Sequence, residues 1–350
     1  MSAVAPAELG PRMWREIREQ PDVLRRLLLD GREAIDRVAA AIRDYAPRFA
    51  VLVARGTSDH AAAYGKYLLE TRLGVPASLA APSTTTLYHS RPRLDRVLYI
   101  AISQSGESPD VVLPTRQAAG SGALTVAITN QNQSPLSAVA AHTLQIMAGE
   151  EKAVAATKSY TASLLTLFLL IEAVAGRDAR EANDLPQRCT QLLDRQEALE
   201  QIALRYRDAE QILITSRGYN EATAREAALK LVEGARIPAV GFSGADLLHG
   251  PIAMVERGFP VIAFIPPEAG GRAMGSVVES LLARAVDLLL LGPQHGPAGT
   301  TTVLLPDMRP EYLSPVLAIV PFQILALSLG RLRGYDPDRP AGLAKVTRTL

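Results

Sequence analysis

Arg96-Val97-Leu98-Tyr99-Ile100-Ala101-Ile102-Ser103-Gln104-Ser105-Gly106-Glu107-Ser108 runs from a continuous apolar strand into three hydroxyls, an amide and a glycine. A helical pattern starts just beyond, at Pro109-Asp110-Val111-Val112. Hydroxyls and free backbone N–H groups gathered at a helix N-terminus make a site for a doubly charged phosphate. Serine and glycine are also ordinary turn residues, so the loop alone leaves phosphate binding and a plain β-to-α connection both open.

Working outward, the chain is written twice. Ala54-Arg55-Gly56 recurs as Ser216-Arg217-Gly218, Val75-Pro76-Ala77 as Ile237-Pro238-Ala239, and Ile100-Ala101 as Ile262-Ala263, each 162 positions later. Ala123 to Ile128 aligns with Ala285 to Leu290 at the same offset. The first copy predicts strands at Phe49–Ala54, Ala77–Ala80, Val97–Ile102, Thr125–Thr129 and Thr143–Ile146. The second predicts them at Gln211–Thr215, Ala239–Gly241, Pro260–Ile265, Asp287–Leu291 and Thr302–Leu305. Short, continuous apolar strands alternating with helices indicate parallel sheets covered on both faces. The expected architecture is α/β, two tandem doubly wound parallel-sheet domains related by internal duplication. Ligands of such sheets sit beyond the carboxyl ends of the strands, where Gly56-Thr57-Ser58 and Ser103 to Ser108 fall. At the place of Ser103 to Gly106 the second copy has Ile265-Pro266-Pro267-Glu268. It has lost the hydroxyls, and two prolines remove backbone donors. Only the first copy keeps the candidate phosphate loop.

The expected layout is N-terminal helices over 1–47, the first copy over 48–176, a helical connector over 177–208, the second copy over 209–334, and a tail over 335–350 that carries Lys345. Arg12 to Asp44 reads as two helices. Net charge is +1, from 37 basic and 36 acidic residues, which recommends neither nucleic acid nor an anionic membrane as partner. The one cysteine, Cys189, excludes an internal disulfide and reads as core. Met1 to Gly10 does not resemble a signal peptide. The longest apolar run, Leu164 to Ile171, falls short of the ~20 residues that span a bilayer. A soluble, cytoplasmic protein is expected. No metal-ligand cluster, ATP loop or dinucleotide loop is present, so no cofactor is expected.

Three places could do chemistry. Glu226, Lys230 and Glu233 are spaced to share one helix face. They are either a solvated salt-bridged face or a buried acid–base–acid row able to move protons. His249, in Asp246-Leu247-Leu248-His249-Gly250-Pro251, sits before a tight turn. His60 follows the Gly56 turn closely enough to line a site, and the other histidines have weaker contexts. Lys345 lies among small and apolar residues, Gly342-Leu343-Ala344 and Val346. It is either a basic residue on a frayed end or a desolvated amine, easier to deprotonate and able to attack a carbonyl.

Together these residues resemble the sugar isomerase (SIS) family, in the form found as the isomerase half of glucosamine-6-phosphate synthases and in SIS-type deaminases. The matching stretches are Met13-Trp14-Arg15-Glu16-Ile17-Arg18-Glu19-Gln20-Pro21, Arg55-Gly56-Thr57-Ser58, Ser103 to Ser108, Val154-Ala155-Ala156-Thr157-Lys158, Glu226 to Glu233, Leu248-His249-Gly250-Pro251 and Leu343-Ala344-Lys345. The resemblance implies that Thr57, Ser58, Ser103, Gln104, Ser105 and Ser108 hold a sugar phosphate, with Val154, Ala156 and Ala344 against the sugar. It implies that Glu233 carries the proton between C1 and C2, that His249 assists ring opening, and that Lys345 forms a Schiff base with an open-chain ketose. Glu226 and Lys230 would tune the site. A homodimer is implied, the histidine loop completing the neighbouring subunit's site.

Two departures stand out. Ala156 replaces a serine that helps bind sugar in the synthase. Only about 48 residues precede the first strand, so the synthase's glutaminase domain, with its leading cysteine, is not expected here. The reading that follows is a glutamine-independent glucosamine-6-phosphate deaminase. A ketose–aldose phosphosugar isomerase and a fructosamine-6-phosphate deglycase are alternatives. A non-catalytic phosphosugar sensor is an alternative of another class, which would need the Ser103–Ser108 loop but not Glu233, His249 and Lys345 together.

Overall fold

A computed structural model gives the fold, and residues 9–345 are described. The chain divides into two compact units. The first-sheet unit comprises residues 22–151, 158–183 and 344–345, and the second-sheet unit residues 9–21, 152–157 and 184–343.

The first-sheet unit is built on β1 (Phe49–Val53), β2 (Ala77–Leu79), β3 (Val97–Ser103), β4 (Leu124–Thr129) and β5 (His142–Gln145). They are ordered β2-β1-β3-β4-β5 and pair in parallel. All seven residues of β3 are buried, as a central parallel strand with both faces covered requires. On one face Val53, Tyr99, Ala101 and Ala127 pack with Val111, Val112 and Ala118 of the helix Pro109–Gly120.

The second-sheet unit holds β6 (Ile212–Ser216), β7 (Ala239–Ser243), β8 (Pro260–Phe264), β9 (Asp287–Gly292) and β10 (Thr301–Leu304). They are parallel and ordered β10-β9-β8-β6-β7, which is the first sheet's order repeated. The strands expected from sequence are found in both copies with ends shifted by one or two residues. The duplication extends to irregular detail. Each copy has a π-turn at the same repeat position, Leu69–Leu73 and Leu231–Ala235. The glycine after the first strand is left-handed in both, Gly56 at φ 56° and Gly218 at φ 61°.

One expectation changes. The N-terminal segment forms three helices, Pro11–Arg18, Gln20–Asp30 and Arg32–Tyr45, not two. The breaks fall at Glu19 and at Gly31, whose missing side chain lets it pack on the Leu27 carbonyl. The Leu164–Ile171 run lies in the buried helix Lys158–Val174. A second apolar helix, Ser314–Leu332, lies within a segment long and apolar enough to cross a bilayer, and that segment is wholly buried inside the protein. Val346, invoked for the environment of Lys345, lies outside the described residues. Cys189 is buried in the connector helix Leu185–Leu193, and burial pushes its thiol up to about 12.

Candidate active site

In a sheet ordered 2-1-3-4-5 the chain leaves β1 and β3 in opposite directions, which opens a crevice at their carboxyl ends. The loops there carry Thr57 and Ser58 after β1 and Ser103 to Ser108 after β3. Thr57 and Ser58 are half-buried in the first turn of the helix Thr57–Leu68. Ser108 is the N-cap of Pro109–Gly120, its carbonyl accepting from the N–H groups of Val111 and Val112 at 3.0 Å each. Ser103 Oγ accepts from Gly106 N at 3.1 Å, and Ser105 Oγ from Glu107 N at 3.3 Å.

Glycine at 106 is obligatory on two counts. Its φ is +66°, and a Cβ there would overlap Ser134. Its carbonyl is held by Leu136 N (3.0 Å), and that of Gln104 by Asn130 N (3.1 Å). The nest is therefore preformed. Arg55 reaches the same helix start, donating through Nε (3.0 Å) and Nη2 (2.9 Å) to the buried Asp110 carboxylate. A preformed nest of hydroxyls and N–H groups beside a guanidinium suits a phosphate. Ser105→Ala is expected to weaken binding of a phosphorylated sugar and leave that of the neutral sugar unchanged by calorimetry; equal losses for both would contradict phosphate anchoring.

The second-sheet unit shows what became of the equivalent nest. Glu268 stands at the place of Gly106 and keeps the left-handed backbone, φ 60°, despite the ~1–2 kcal/mol this costs a residue with a side chain. The helix Glu268–Leu282 starts there, and the buried carboxylate of Glu311 sits on its first N–H groups, accepting from Gly270 at 3.0 Å and also from Ala269. Gly218 approaches the same carboxylate. The anion position of the second copy is thus filled by the protein's own side chain. Burial raises the Glu311 pKa, and neighbouring Glu268 adds to the rise against the two N–H donors.

The Glu226–Lys230–Glu233 row lies in the second-sheet unit and is enclosed. Glu226 and Lys230 have no exposed side-chain surface, and Glu233 keeps 20%. Lys230 Nζ is 3.4 Å from Glu226 Oε1 and 2.5 Å from Glu233 Oε2. Burial opposes the lysine's charge, but the two carboxylates outweigh it and the ammonium is pushed up to about 12. Glu233 lies within the π-turn, a local widening of the helix often found at functional sites. His249, in the same unit, is exposed at the end of the helix Gly244–Leu248, before Gly250 at φ 137°.

Lys345 is in the first-sheet unit, where its Nζ meets the fully buried Glu151 carboxylate at 2.8 Å. Glu151 also accepts from Ser159 N (3.0 Å) and Ser159 Oγ (2.7 Å). Burial alone would raise its pKa, but the Lys345 ammonium and the serine donors hold it below the usual carboxylate range. Asn130, which grips Gln104, also donates to the Gly149 carbonyl (2.6 Å) and accepts from Ala148 N (3.0 Å). It ties the Ser103–Ser108 loop to the segment that ends in Glu151. Ala344, beside Lys345, is exposed.

Val154 and Ala156 are half-buried in the loop 152–157 of the second-sheet unit. Glu16 holds the start of that loop, accepting from Lys152 N (2.5 Å) and Ala153 N (3.3 Å). Val154 N donates to the Asp338 carbonyl at 3.4 Å. The Asp338 carboxylate caps the first helix through Arg12 N (2.9 Å) and Met13 N (2.8 Å). Gln20 bonds to Gln323 (2.9 Å), which donates to the Thr157 carbonyl (3.4 Å). Glu16 therefore holds the start of the loop directly, and Gln20 reaches its end through Gln323.

Thr57, Ser58, Ser103, Gln104, Ser105, Ser108, Ala344 and Lys345 thus belong to the first-sheet unit. Val154, Ala156, Glu226, Lys230, Glu233 and His249 belong to the second. Glu151, Glu16, Asn130 and Asp338 were not singled out from sequence. Their signal was only a charged or amide residue inside or beside a recognisable stretch. Among the described residues no group of three or more His, Cys, Asp or Glu side chains could hold a metal ion.

The sequence pattern of the SIS domain family matches residues 46–173 and 205–289. The glutamine–fructose-6-phosphate aminotransferase (isomerizing) of Pyrococcus horikoshii is 35% identical over 343 residues, covering 95% of this chain and 57% of that protein. The chain therefore spans little more than half the length of such relatives. A protein from Silicibacter pomeroyi, described with its crystal structure as a candidate phosphosugar isomerase, superposes with a TM-score of 0.86. It is 35% identical, over 93% of this chain and 99% of that one. A glucosamine-6-phosphate deaminase from Thermotoga maritima shares the fold at a TM-score of 0.74, with 20% identity over 97% of this chain and all of that one.

Proposed function

We propose that this chain, which belongs to the SIS domain family, is an enzyme that converts glucosamine 6-phosphate to fructose 6-phosphate and ammonia. The carrying observation is the buried Glu226–Lys230–Glu233 row. Enclosing two charges beside a third is costly, and a protein that only sensed a phosphosugar would have no use for a partly exposed carboxylate backed by a buried ammonium. A proton transfer between adjacent carbons needs such a group.

In this reading the phosphate rests on Thr57, Ser58, Ser103, Gln104, Ser105 and Ser108. Glu233 takes the proton from one carbon and returns it to the next through an enediol or enolamine. Lys230 and Glu226 fix its position and charge, His249 assists ring opening, and Lys345 forms an imine with the open-chain ketose. Val154, Ala156 and Ala344 line the sugar. The amino sugar is favoured because the 35%-identical relatives are named for fructose 6-phosphate and for transfer of an amino group. With no glutamine supplied, the same chemistry releases ammonia. The assembly we propose is a cytoplasmic homodimer, with His249 completing the neighbouring site. The exposed Leu248 and Met254 flanking His249 in sequence suit a contact of that kind. Incubation with glucosamine 6-phosphate alone is expected to release ammonia in step with fructose 6-phosphate. Isomerised sugar without ammonia would replace this reading by a ketose–aldose isomerase, and no turnover of any phosphosugar would overturn it.

A further inference from the structure

We propose that Glu151 is the proton carrier for imine formation at Lys345, taking hydrogens from the lysine nitrogen and delivering them to the departing carbonyl oxygen. This rests on the reading that Lys345 is the amine nucleophile. The pair is built for exchange rather than for anchoring alone. The Glu151 carboxylate has no exposed surface, the Lys345 side chain keeps 23%, and 2.8 Å separates Nζ from Oε2. The nitrogen can thus face a ligand while the carboxylate lies directly behind it, one hydrogen bond from the atom that attacks and within reach of the oxygen of a carbonyl bonded there.

The carboxylate also has donors besides Lys345, and nearby cations have carbonyl partners. Ser159, at the start of the helix Lys158–Val174, gives it an N–H and a hydroxyl. The Lys158 ammonium is turned to the Glu150 carbonyl at 2.7 Å, and Arg26 to the Met147 carbonyl at 2.7 Å. Lys345 Nζ donates to Glu151 Oε2 at 2.8 Å.

The steps balance without a co-reactant. An ammonium carries three hydrogens and has no lone pair, so it cannot attack a carbonyl. Glu151 accepts one hydrogen. The freed amine forms the C–N bond, and the carbonyl π pair moves onto oxygen. Glu151 gives its proton to that oxygen, accepts a second from nitrogen, and delivers it as the C–O bond breaks. Water leaves with two of the three hydrogens, and the iminium nitrogen keeps the third. The carboxylate is regenerated, and no proton is drawn from or lost to solvent.

That closed balance gives the test. Imine trapping is measured with fructose 6-phosphate and cyanoborohydride from pH 6.5 to 9, reading the sugar mass on Lys345. The wild type is expected to trap at a rate independent of pH. Glu151→Gln must shed its proton to solvent first. It is expected to be slower by on the order of 10²-fold near neutrality and to speed up about tenfold per pH unit towards the ordinary lysine range of ~10.4. Lys345→Arg, which keeps a cation for Glu151, should trap nothing. A Glu151→Gln profile as flat as the wild type's, lowered only in amplitude, would reduce Glu151 to a structural anchor and overturn the proposal. So would a tenfold-per-unit rise in the wild type, which needs no variant to fold. An unlabelled wild-type Lys345 at every pH would instead remove the amine role itself, and this inference with it.

Discussion

Glu233→Gln is expected to slow exchange of solvent hydrogen into C1 and C2 of the sugar by ~10²–10⁴-fold, the contribution of one well-placed base. The phosphosugar should still bind, because the nest proposed for its phosphate is built from other residues. The substitution also spares the fold. Lys230 keeps Glu226 at 3.4 Å, and Glu233 is the one member of the row with exposed surface. Exchange followed by proton NMR in heavy water separates the two properties. A variant that binds and exchanges at the wild-type rate would show that another group is the base.

Lys230→Met has the largest expected effect on stability. It takes the Lys230 ammonium from beside Glu226, whose side chain has no exposed surface, and breaking a buried pair from one side costs ~3–5 kcal/mol. The pH dependence has a definite sign. The Lys230 pKa is raised in the folded protein to about 12. Its stabilisation is therefore complete below the ordinary lysine range of ~10.4 and is lost only as pH climbs through about 12. Near neutrality the wild type should be insensitive to this group. Urea unfolding of both proteins at neutral pH measures the deficit of the variant, and equal stabilities would show that the ammonium is not needed beside Glu226.

The fold was legible because the duplication is written in apolar runs and glycine turns. Gly56 and Gly218 mark the same left-handed turn in both copies, and each strand is a short apolar block between turn residues. The N-terminal segment was less legible. A charged, amphipathic stretch does not reveal a break at Glu19, since any residue can end a helix when the next one starts at a new angle. The loop Ser103–Ser108 was legible because its hydroxyls and glycine are local. Its counterpart was only half so. The prolines announced a lost site, but that Glu311 fills it depends on a contact 41 residues away from Gly270.

Glu151 and Glu16 were not legible, for one reason. In Glu150-Glu151-Lys152 and in Trp14-Arg15-Glu16 a carboxylate looks solvated. Its burial is decided by distant partners: Lys345 for the first, and the N–H groups of Lys152 and Ala153 for the second. A buried carboxylate is tolerable only when such donors surround it, and sequence order does not show them. The row Glu226, Lys230, Glu233 had the opposite fate. Its spacing was visible, but whether it faced water depended on packing. Its repeat equivalents Tyr64, Leu68 and Thr71 carry no charge, so the acid–base row belongs to the second copy alone, as the hydroxyl nest belongs to the first.

The most direct test of that divided labour is deuterium incorporation at C1 when the wild-type protein is held in heavy water with fructose 6-phosphate or with fructose. The account predicts steady exchange for the phosphorylated sugar and none above background for the neutral one. Equal exchange for both, or none for either, would contradict it.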